Sequence, residues 1–198
     1  MPEVTGEQEP KKKFKTYPIG YVHIDIAEVR TAEGKLSLSV AIDRTSKFAF
    51  VQLVAKTGRT SASAVLVTLI AAVPYRTHTV LTDNGIQFTF PPRCADGPTA
   101  TYMTHMFDMR CRENGIDHRL TKIRHPWTNG QVERMNRTIK EATVKRYHYD
   151  SHAQLTAQLH DFIDAHNYGR PMKTLRGLTP YEYLCKIWAT EPERYKLN

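Results

Sequence analysis

The chain has 198 residues, of which 40% are hydrophobic, enough to fill the core of one domain. Its N-terminal segment has no apolar stretch typical of a secretory signal, and no apolar run is long enough to cross a membrane. Three scattered cysteines are too few for a disulfide framework, so we expect a cytoplasmic location. The formal net charge of +8 favours a polyanionic partner, with nucleic acid as the first candidate.

The basic charge is concentrated in one segment of the chain. Between Arg119 and Arg146 there are eight basic residues and only two acidic ones, Glu133 and Glu141, a net +6. A run of charge is most often a solvated helix face, but one-sided charge around a loop and its following helix also suits a nucleic-acid backbone. Residues 1–16 mix lysine with glutamate and predict a disordered tail.

The first third of the chain predicts three strands joined by short turns. Apolar and polar residues alternate in each of them, and the predicted strands run over 21–26, 36–42 and 48–54. Connections this short imply an antiparallel meander.

The pattern then changes to alternating helices and strands. The predicted elements are a helix over 61–73, a strand over 79–82, a helix over 99–113, a strand over 116–120 and three further helices, with a proline-rich loop over 89–98. Capping boxes at Thr128 and Thr179 predict the starts of the first and last of these three helices. The resulting order predicts a mixed α/β sheet.

Three carboxylates stand out by their positions. Asp25 lies inside the first strand, Asp83 ends the fourth strand, and Glu133 lies in the first turn of a capped helix. Each has an ordinary structural alternative: a salt-bridged or edge-exposed aspartate, an Asp-Asn-Gly turn, and an acid that stabilises a helix N-terminus. Magnesium prefers oxygen ligands and can act as a pair of ions in phosphodiester displacement, so the three together also predict a metal site.

Familiar motifs for other chemistry are absent from the sequence. It contains no phosphate-binding glycine loop, dinucleotide fingerprint, HExxH or GxSxG motif, and no paired cysteines for zinc. Two-metal phosphodiester chemistry needs no protein nucleophile, which is consistent with these absences.

Several segments together resemble a known group of enzymes. YVHIDIAEVR (21–30), VLTDNGIQF (80–88) and HPWTNGQVERMNRTIK (125–140) resemble the catalytic core of retroviral-type integrases and insertion-sequence transposases, the DDE superfamily. The pattern is most similar to the bacterial insertion-sequence branch. This resemblance implies a ribonuclease-H-like fold, with an antiparallel meander plus two parallel strands in a five-stranded mixed sheet flanked by helices. It divides the chain into a tail (1–16), an integrase catalytic core (17–188) and a C-terminal tail (189–198).

The resemblance also implies roles for individual residues. Asp25, Asp83 and Glu133 become the catalytic, metal-binding triad, holding Mg²⁺ or Mn²⁺, two ions in all, and Asn84 supports the second aspartate. The DNA-binding residues that it implies are Asn129, Gly130, Asn136, Arg137 and Lys140.

The expected activity is metal-dependent cleavage of DNA and strand transfer, carried out by a homo-oligomer on element ends and target DNA in the bacterial nucleoid. Related transposases carry a helix-turn-helix region, which here would be separate or missing. One alternative is therefore a truncated, catalytically impaired DNA-binding remnant, and another is a general nuclease without strand transfer.

Overall fold

The computed structural model describes residues 17–91, 104–122 and 129–196, and these form a five-stranded sheet flanked by helices. The strands are β1 (Tyr21–Thr31), β2 (Gly34–Asp43), β3 (Ala49–Val54), β4 (Thr79–Thr82) and β5 (Asp117–Leu120). The longer helices are α1 (Arg59–Ala72), α2 (Met106–Glu113), α3 (Gly130–Ala142), α4 (His152–Asp164) and α5 (Pro180–Thr190).

The sheet has the order β3-β2-β1-β4-β5. Strands β1, β2 and β3 pair antiparallel, whereas β4 pairs parallel to β1 and β5 pairs parallel to β4. The predicted mixed sheet, with an antiparallel meander and two parallel strands, is therefore confirmed.

Strand β1 is five residues longer than predicted. The apolar alternation weakens after Ile26, but pairing with β2 continues as far as Thr31 opposite Gly34. Buried Val29 lies opposite Leu36 in this extension, and the exposed neighbour Glu28 forms an ion pair with Lys35. Cross-strand pairing thus extends a strand beyond the point where its own periodicity stops.

Helices cover both faces of the sheet. One apolar cluster joins β1 and β4 to α1, α2 and α5, and a second joins β2 and β3 to α3 and α4. Val22 and Ile24 of β1 belong to the first cluster, while His23 and Asp25 point to the opposite face, toward α3. His23 is 1% exposed, so the predicted half-buried strand is buried on both faces because it lies at the centre of a two-sided sheet.

Helix starts depend on local capping contacts. α1 begins at Arg59, two residues earlier than predicted, and the Ser61 hydroxyl accepts a hydrogen bond from the Gly58 backbone N–H. The capping box of α5 is confirmed, because Thr179 and Glu182 each accept a hydrogen bond from the other's backbone N–H.

The other predicted helix starts fall partly outside the described residues. The described residues do not include the predicted tail 1–16, most of the 89–98 loop, residues 99–103 or Thr128. Within the described part, α2 begins at Met106, and α3 begins at Gly130 with Asn129 at its N-cap position.

The packed chain continues past residue 188, beyond the predicted boundary. α5 ends at Thr190, a single helical turn follows over Pro192–Arg194, and buried Tyr195 forms a backbone bridge to Tyr75. The aromatic ring of Tyr195 attaches this segment to the α1 side of the core. Among the described residues, no helix combines the length and the apolar character needed to span a membrane.

Candidate active site

Asp25 and Asp83 come from neighbouring parallel strands at the same level of the sheet. The β1–β4 register pairs His23 with Leu81, and extending it by two residues brings Asp25 level with Asp83. Side chains at the same level of parallel strands point to the same face, and the strands themselves lie about 4.8 Å apart. Asp25 is inside its strand and Asp83 follows the last residue of its strand because β1 continues where β4 ends.

The chain around Asp83 is held by hydrogen bonds to the end of β5. The Thr121 N–H donates to the Thr82 carbonyl at 2.9 Å, and the Asn84 amide donates to the Thr121 carbonyl at 2.9 Å. The Gly85 N–H donates to Asp83 Oδ1 at 3.0 Å, which forms the tight Asp-Asn-Gly turn. Asn84 therefore supports the Asp83 segment through Thr121 and has no direct contact with the Asp83 carboxylate.

Helix α3 contacts Asp25 directly. Asn136 is buried on this helix and donates from Nδ2 to Asp25 Oδ2 at 2.5 Å, while the Ile26 N–H donates to Asp25 Oδ1 at 2.9 Å. Glu133 lies three residues before Asn136, one turn away on the same side of α3, and is exposed. The helix thus carries the third predicted acid over the sheet edge that holds the other two.

The electrostatics of Asp25 reflect this arrangement. Burial is the main cause that raises the pKa of Asp25; the hydrogen bonds from Asn136 and Ile26 lower it, and the charges of Asp83 and Glu133 raise it further. Among the described residues, Asp25, Asp83 and Glu133 form no ion pair with a lysine, arginine or histidine. The salt-bridge alternative for Asp25 therefore finds no support in this part of the chain.

The three acids are chemically suited to a divalent cation, although their side chains do not close around one. No group of three or more His, Cys, Asp and Glu side chains within the described ranges lies close enough to hold a metal as placed. The set is nevertheless all carboxylate, the ligand type that Mg²⁺ prefers, and its members repel one another, which a bound cation would relieve. Glu133 is exposed, and the donor chemistry of the three residues fits the ion.

A shallow cleft of about 220 Å³ lies beside Glu133. It is lined by Gly130, Glu133, Arg134 and Arg137, all from the first two turns of α3. Two arginines and a glycine around an acid make a surface that can accept a phosphate next to a metal site. In the sequence, Arg134 is one of the eight basic residues between Arg119 and Arg146, and no pattern there predicts a role of its own.

Two of the predicted DNA-binding residues are buried in the structure. Asn136 is 6% exposed because it lies on the buried stripe of α3 with Val132 and Met135, and its amide donates to Asp25, so it contacts the triad; its contact with DNA stays a prediction. Asn129 is 5% exposed at the N-cap position of α3. Arg137 is exposed and Lys140 half-buried, four and seven residues beyond Glu133 on the same side of the helix.

Sequence reasoning missed a polar network behind Asp83. His118 of β5 contacts Asp108 of α2 through Nδ1 and Thr82 through Nε2. The one signal available was a histidine inside the short strand predicted over 116–120.

Comparisons with known proteins agree with this architecture. Two family models, both described as Integrase core domain, match residues 15–126 and 114–180. The first alone covers more than half of the chain. The chain therefore belongs to the integrase core domain family.

One curated relative is the "Uncharacterized protein K02A2.6" of Caenorhabditis elegans, 27% identical over 164 residues. The match covers 81% of this chain but 11% of the relative, so the chain spans about a tenth of that protein's length.

Similar solved structures include three integrases of retroviruses. The catalytic core domain of HTLV-2 integrase in complex with magnesium (trimeric form) is 19% identical, with a TM-score of 0.63, covering 84% of this chain and 96% of that one. The catalytic core domain of BIV integrase is 20% identical, with a TM-score of 0.63, covering 87% and 98%. The simian T-cell lymphotropic virus intasome, in complex with PP2A regulatory subunit B56 gamma, is 20% identical, with a TM-score of 0.69, covering 90% and 59%. These likenesses establish the integrase core fold, with its ribonuclease-H-like sheet, and the family match favours a catalytic core over a DNA-binding remnant.

Proposed function

We propose that this chain catalyses metal-dependent cleavage of DNA phosphodiesters and the transfer of a DNA 3′-hydroxyl to a new phosphodiester. One observation carries the proposal: Asp25 and Asp83 lie level on neighbouring parallel strands, beneath the helix that carries Glu133. Their mutual repulsion and the lack of ion pairs among the described residues support a role in holding a cation.

Mg²⁺ or Mn²⁺, two ions in all, is the proposed cofactor, held by Asp25, Asp83 and Glu133. When bound, such ions stabilise the attacking and departing oxygens of an in-line displacement. The chain itself orients Asp25 through Asn136 and the Ile26 N–H, and it fixes the turn of Asp83 through Gly85. The HTLV-2 integrase core was solved with magnesium, which supports this choice of cofactor.

The DNA backbone is proposed to follow α3 away from Glu133. Arg137 borders the cleft, and Lys140 extends the same side of the helix by one further turn. Lysine and arginine neutralise phosphates without reading base sequence, so these contacts hold the DNA in register. Gly130 lines the cleft without a side chain, which leaves room for a phosphate beside Glu133. Asn129 is proposed to contact DNA from the same N-terminal end of α3.

The biological setting is also a proposal. We infer a homo-oligomer acting on element ends and target DNA, since the HTLV-2 core was solved in dimeric and trimeric forms and the simian virus protein as an intasome. A bacterial insertion sequence, a location at the nucleoid and a helix-turn-helix region that recognises the ends complete this proposal.

Removing one charge from the triad tests the proposal. Asp25→Asn and Glu133→Gln are each expected to lower the rate of metal-dependent nicking and joining by about 1,000-fold, because a catalytic ion contributes several kcal/mol to the transition state. The measurement is a gel assay of pre-nicked and supercoiled DNA over a titration of Mg²⁺ or Mn²⁺.

Glu141→Gln is the matched control, since Glu141 is exposed on the same helix and lies two turns beyond Glu133. It should retain the wild-type rate. Full activity in Asp25→Asn or Glu133→Gln would overturn the proposal, and nicked products without any joined products would reduce it to a nuclease.

A further inference from the structure

Three side chains form a continuous hydrogen-bonded network that ends at the backbone of Asp83. Asp108 Oδ1 lies 2.5 Å from His118 Nδ1, and His118 Nε2 lies 2.9 Å from Thr82 Oγ1. The Thr82 hydroxyl in turn donates to the Asp83 carbonyl at 3.0 Å. The network thus connects α2, β5 and the end of β4, and it reaches the peptide group that follows Asp83.

The three side chains of this network are largely enclosed by protein. Thr82 is fully buried, and the His118 side chain is 5% exposed. The ring of Phe107 meets the His118 ring edge-on, with 4.8 Å between centroids. Asp108 is the outermost member, with 32% of its side chain exposed. Polar contacts enclosed in this way are stronger and more directional than contacts in water.

The three contacts depend on one another. The Thr82 hydroxyl donates to the Asp83 carbonyl, and its oxygen also lies within hydrogen-bond distance of His118 Nε2. The Asp108 carboxylate contacts the other ring nitrogen, Nδ1, and so holds the ring in the orientation that brings Nε2 to Thr82. Without Asp108, the ring loses this contact, and the Thr82 hydroxyl can turn away from the Asp83 carbonyl.

We infer that Asp108, His118 and Thr82 are positioning residues that fix the orientation of Asp83 for metal binding, an inference that rests on the proposed function. The carbonyl held by Thr82 belongs to the rigid peptide plane between Asp83 and Asn84. Fixing this plane restricts the backbone dihedral of Asp83 and therefore the direction of its carboxylate. Burial and the β5 register hold the network in place without any contact to the carboxylate itself.

A purely structural role for the network predicts a different result. Such a role would only attach α2 to the sheet, so its loss would lower the melting temperature and leave metal binding unchanged. A positioning role predicts that metal binding weakens even in variants that melt like the wild type.

Thr82→Val against Thr82→Ser separates the two roles. Valine keeps the shape without the hydroxyl, and serine restores the hydroxyl. We expect Thr82→Val to weaken Mn²⁺ binding, measured by electron paramagnetic resonance of free Mn²⁺ without DNA, by roughly tenfold. The cleavage rate at saturating DNA should fall in parallel with unchanged DNA affinity, and Thr82→Ser should stay within about twofold of the wild type.

Thr79→Val is the matched control, because Thr79 is buried in the same strand and its hydroxyl also contacts a histidine, His78. It should bind Mn²⁺ like the wild type. Wild-type Mn²⁺ binding by a folded Thr82→Val variant would overturn the inference.

Asp108→Asn provides a second test in case Thr82→Val does not fold, with Asp117→Asn on exposed β5 as its control. A several-fold loss of Mn²⁺ affinity in Asp108→Asn alone supports the inference, and equal affinities in the two variants overturn it.

Asp83→Asn distinguishes a failure of the positioning role from a failure of the proposed metal site. If Asp83→Asn abolishes Mn²⁺ binding and Asp108→Asn does not weaken it, only the positioning role fails. If Asp83→Asn binds Mn²⁺ like the wild type, the proposed metal site itself fails.

Discussion

Two aspartates of the β1–β2 pair lie three ladder positions apart and differ in the number of donors around them. Asp43 ends β2 opposite Val22, whereas Asp25 lies three residues further along β1, opposite Val40. Asp43 is 1% exposed and accepts four hydrogen bonds, from the N–H groups of Gly20, Thr45 and Ser46 and from the Ser46 hydroxyl, at 2.7–2.9 Å. Asp25 accepts two and lies beside two other acids.

The difference shows how one sheet uses the same residue type for structure and for chemistry. Burial raises the pKa of Asp43, but four hydrogen bonds to the carboxylate act in the opposite direction and use its acceptor sites. Asp43 is therefore a structural acid that closes the turn between β2 and β3. Asp25 keeps unused acceptor capacity and an acidic neighbourhood, which is the condition of an acid that holds a cation.

The largest expected effect is a difference in stability between the two aspartates. Asp43→Asn should lower the free energy of unfolding by about 3 kcal/mol, because the new amide group leaves buried N–H donors without an acceptor. Asp25→Asn should change it by less than about 1 kcal/mol, since lost acceptor strength is offset by relief of repulsion. Urea unfolding measures both values.

Exposed Asp164 on α4, substituted by asparagine, is the control for removing one negative charge. Similar losses of stability in Asp43→Asn and Asp25→Asn would contradict the comparison, because they would make both acids structural.

The second prediction concerns His23, which lies between the two aspartates. Burial above all, together with the charges of Arg44 and Lys47, lowers the pKa of His23 to about 4. The unfolded chain takes up a proton near pH 6.5, so stability falls as the pH decreases from 6.5 toward 4. Between pH 7 and pH 5 the wild type should lose about 2 kcal/mol more than His23→Phe.

Denaturant unfolding of both proteins at each pH gives this difference directly, so contributions from other groups cancel. His160→Phe, on the exposed side of α4, controls for replacing a histidine by phenylalanine. An equal pH dependence in wild type and His23→Phe would show that the ring accepts a proton inside the fold.

Much of this architecture follows from the sequence because it depends on local patterns. The strand over 79–82 has its predicted bounds, and Thr179 caps α5 as predicted. The extension of β1 to Thr31 was missed because it depends on pairing with β2, which no local pattern records. The end of the strand over 79–82 pointed to Asp83, since ligand sites collect where the strands of an open α/β sheet end. Asp25 lies inside its strand, and only the family resemblance implied that it lies beside Asp83.

Contacts between distant elements could not be predicted in this way. The family resemblance implied a DNA-binding role for Asn136, but no local pattern indicated its contact with Asp25, which depends on the packing of α3 on β1. The contact of His118 with Asp108 likewise depends on how α2 packs beside β5. Such contacts depend on the tertiary fold. Sequence periodicity predicts which face of a helix is buried, but it does not predict which element that face packs against.

The smallest expected effect compares one arginine near each of the two aspartates. Near Asp43, Arg44 lies over the rings of Tyr17 and Tyr21, at 4.3 and 5.7 Å from their centroids, so its charge is used inside the protein. Near Asp25, Arg137 lines the open cleft.

Arg137→Ala should weaken binding to duplex DNA about fivefold at low salt and reduce the slope of log K against log salt by about 0.9, the value for one phosphate contact. Arg44→Ala removes the same charge and should leave the slope unchanged, because Arg44 contacts no phosphate. Fluorescence anisotropy over a salt series measures both variants, and equal slopes would show that only the net charge of the protein, and not the cleft beside Glu133, attracts DNA.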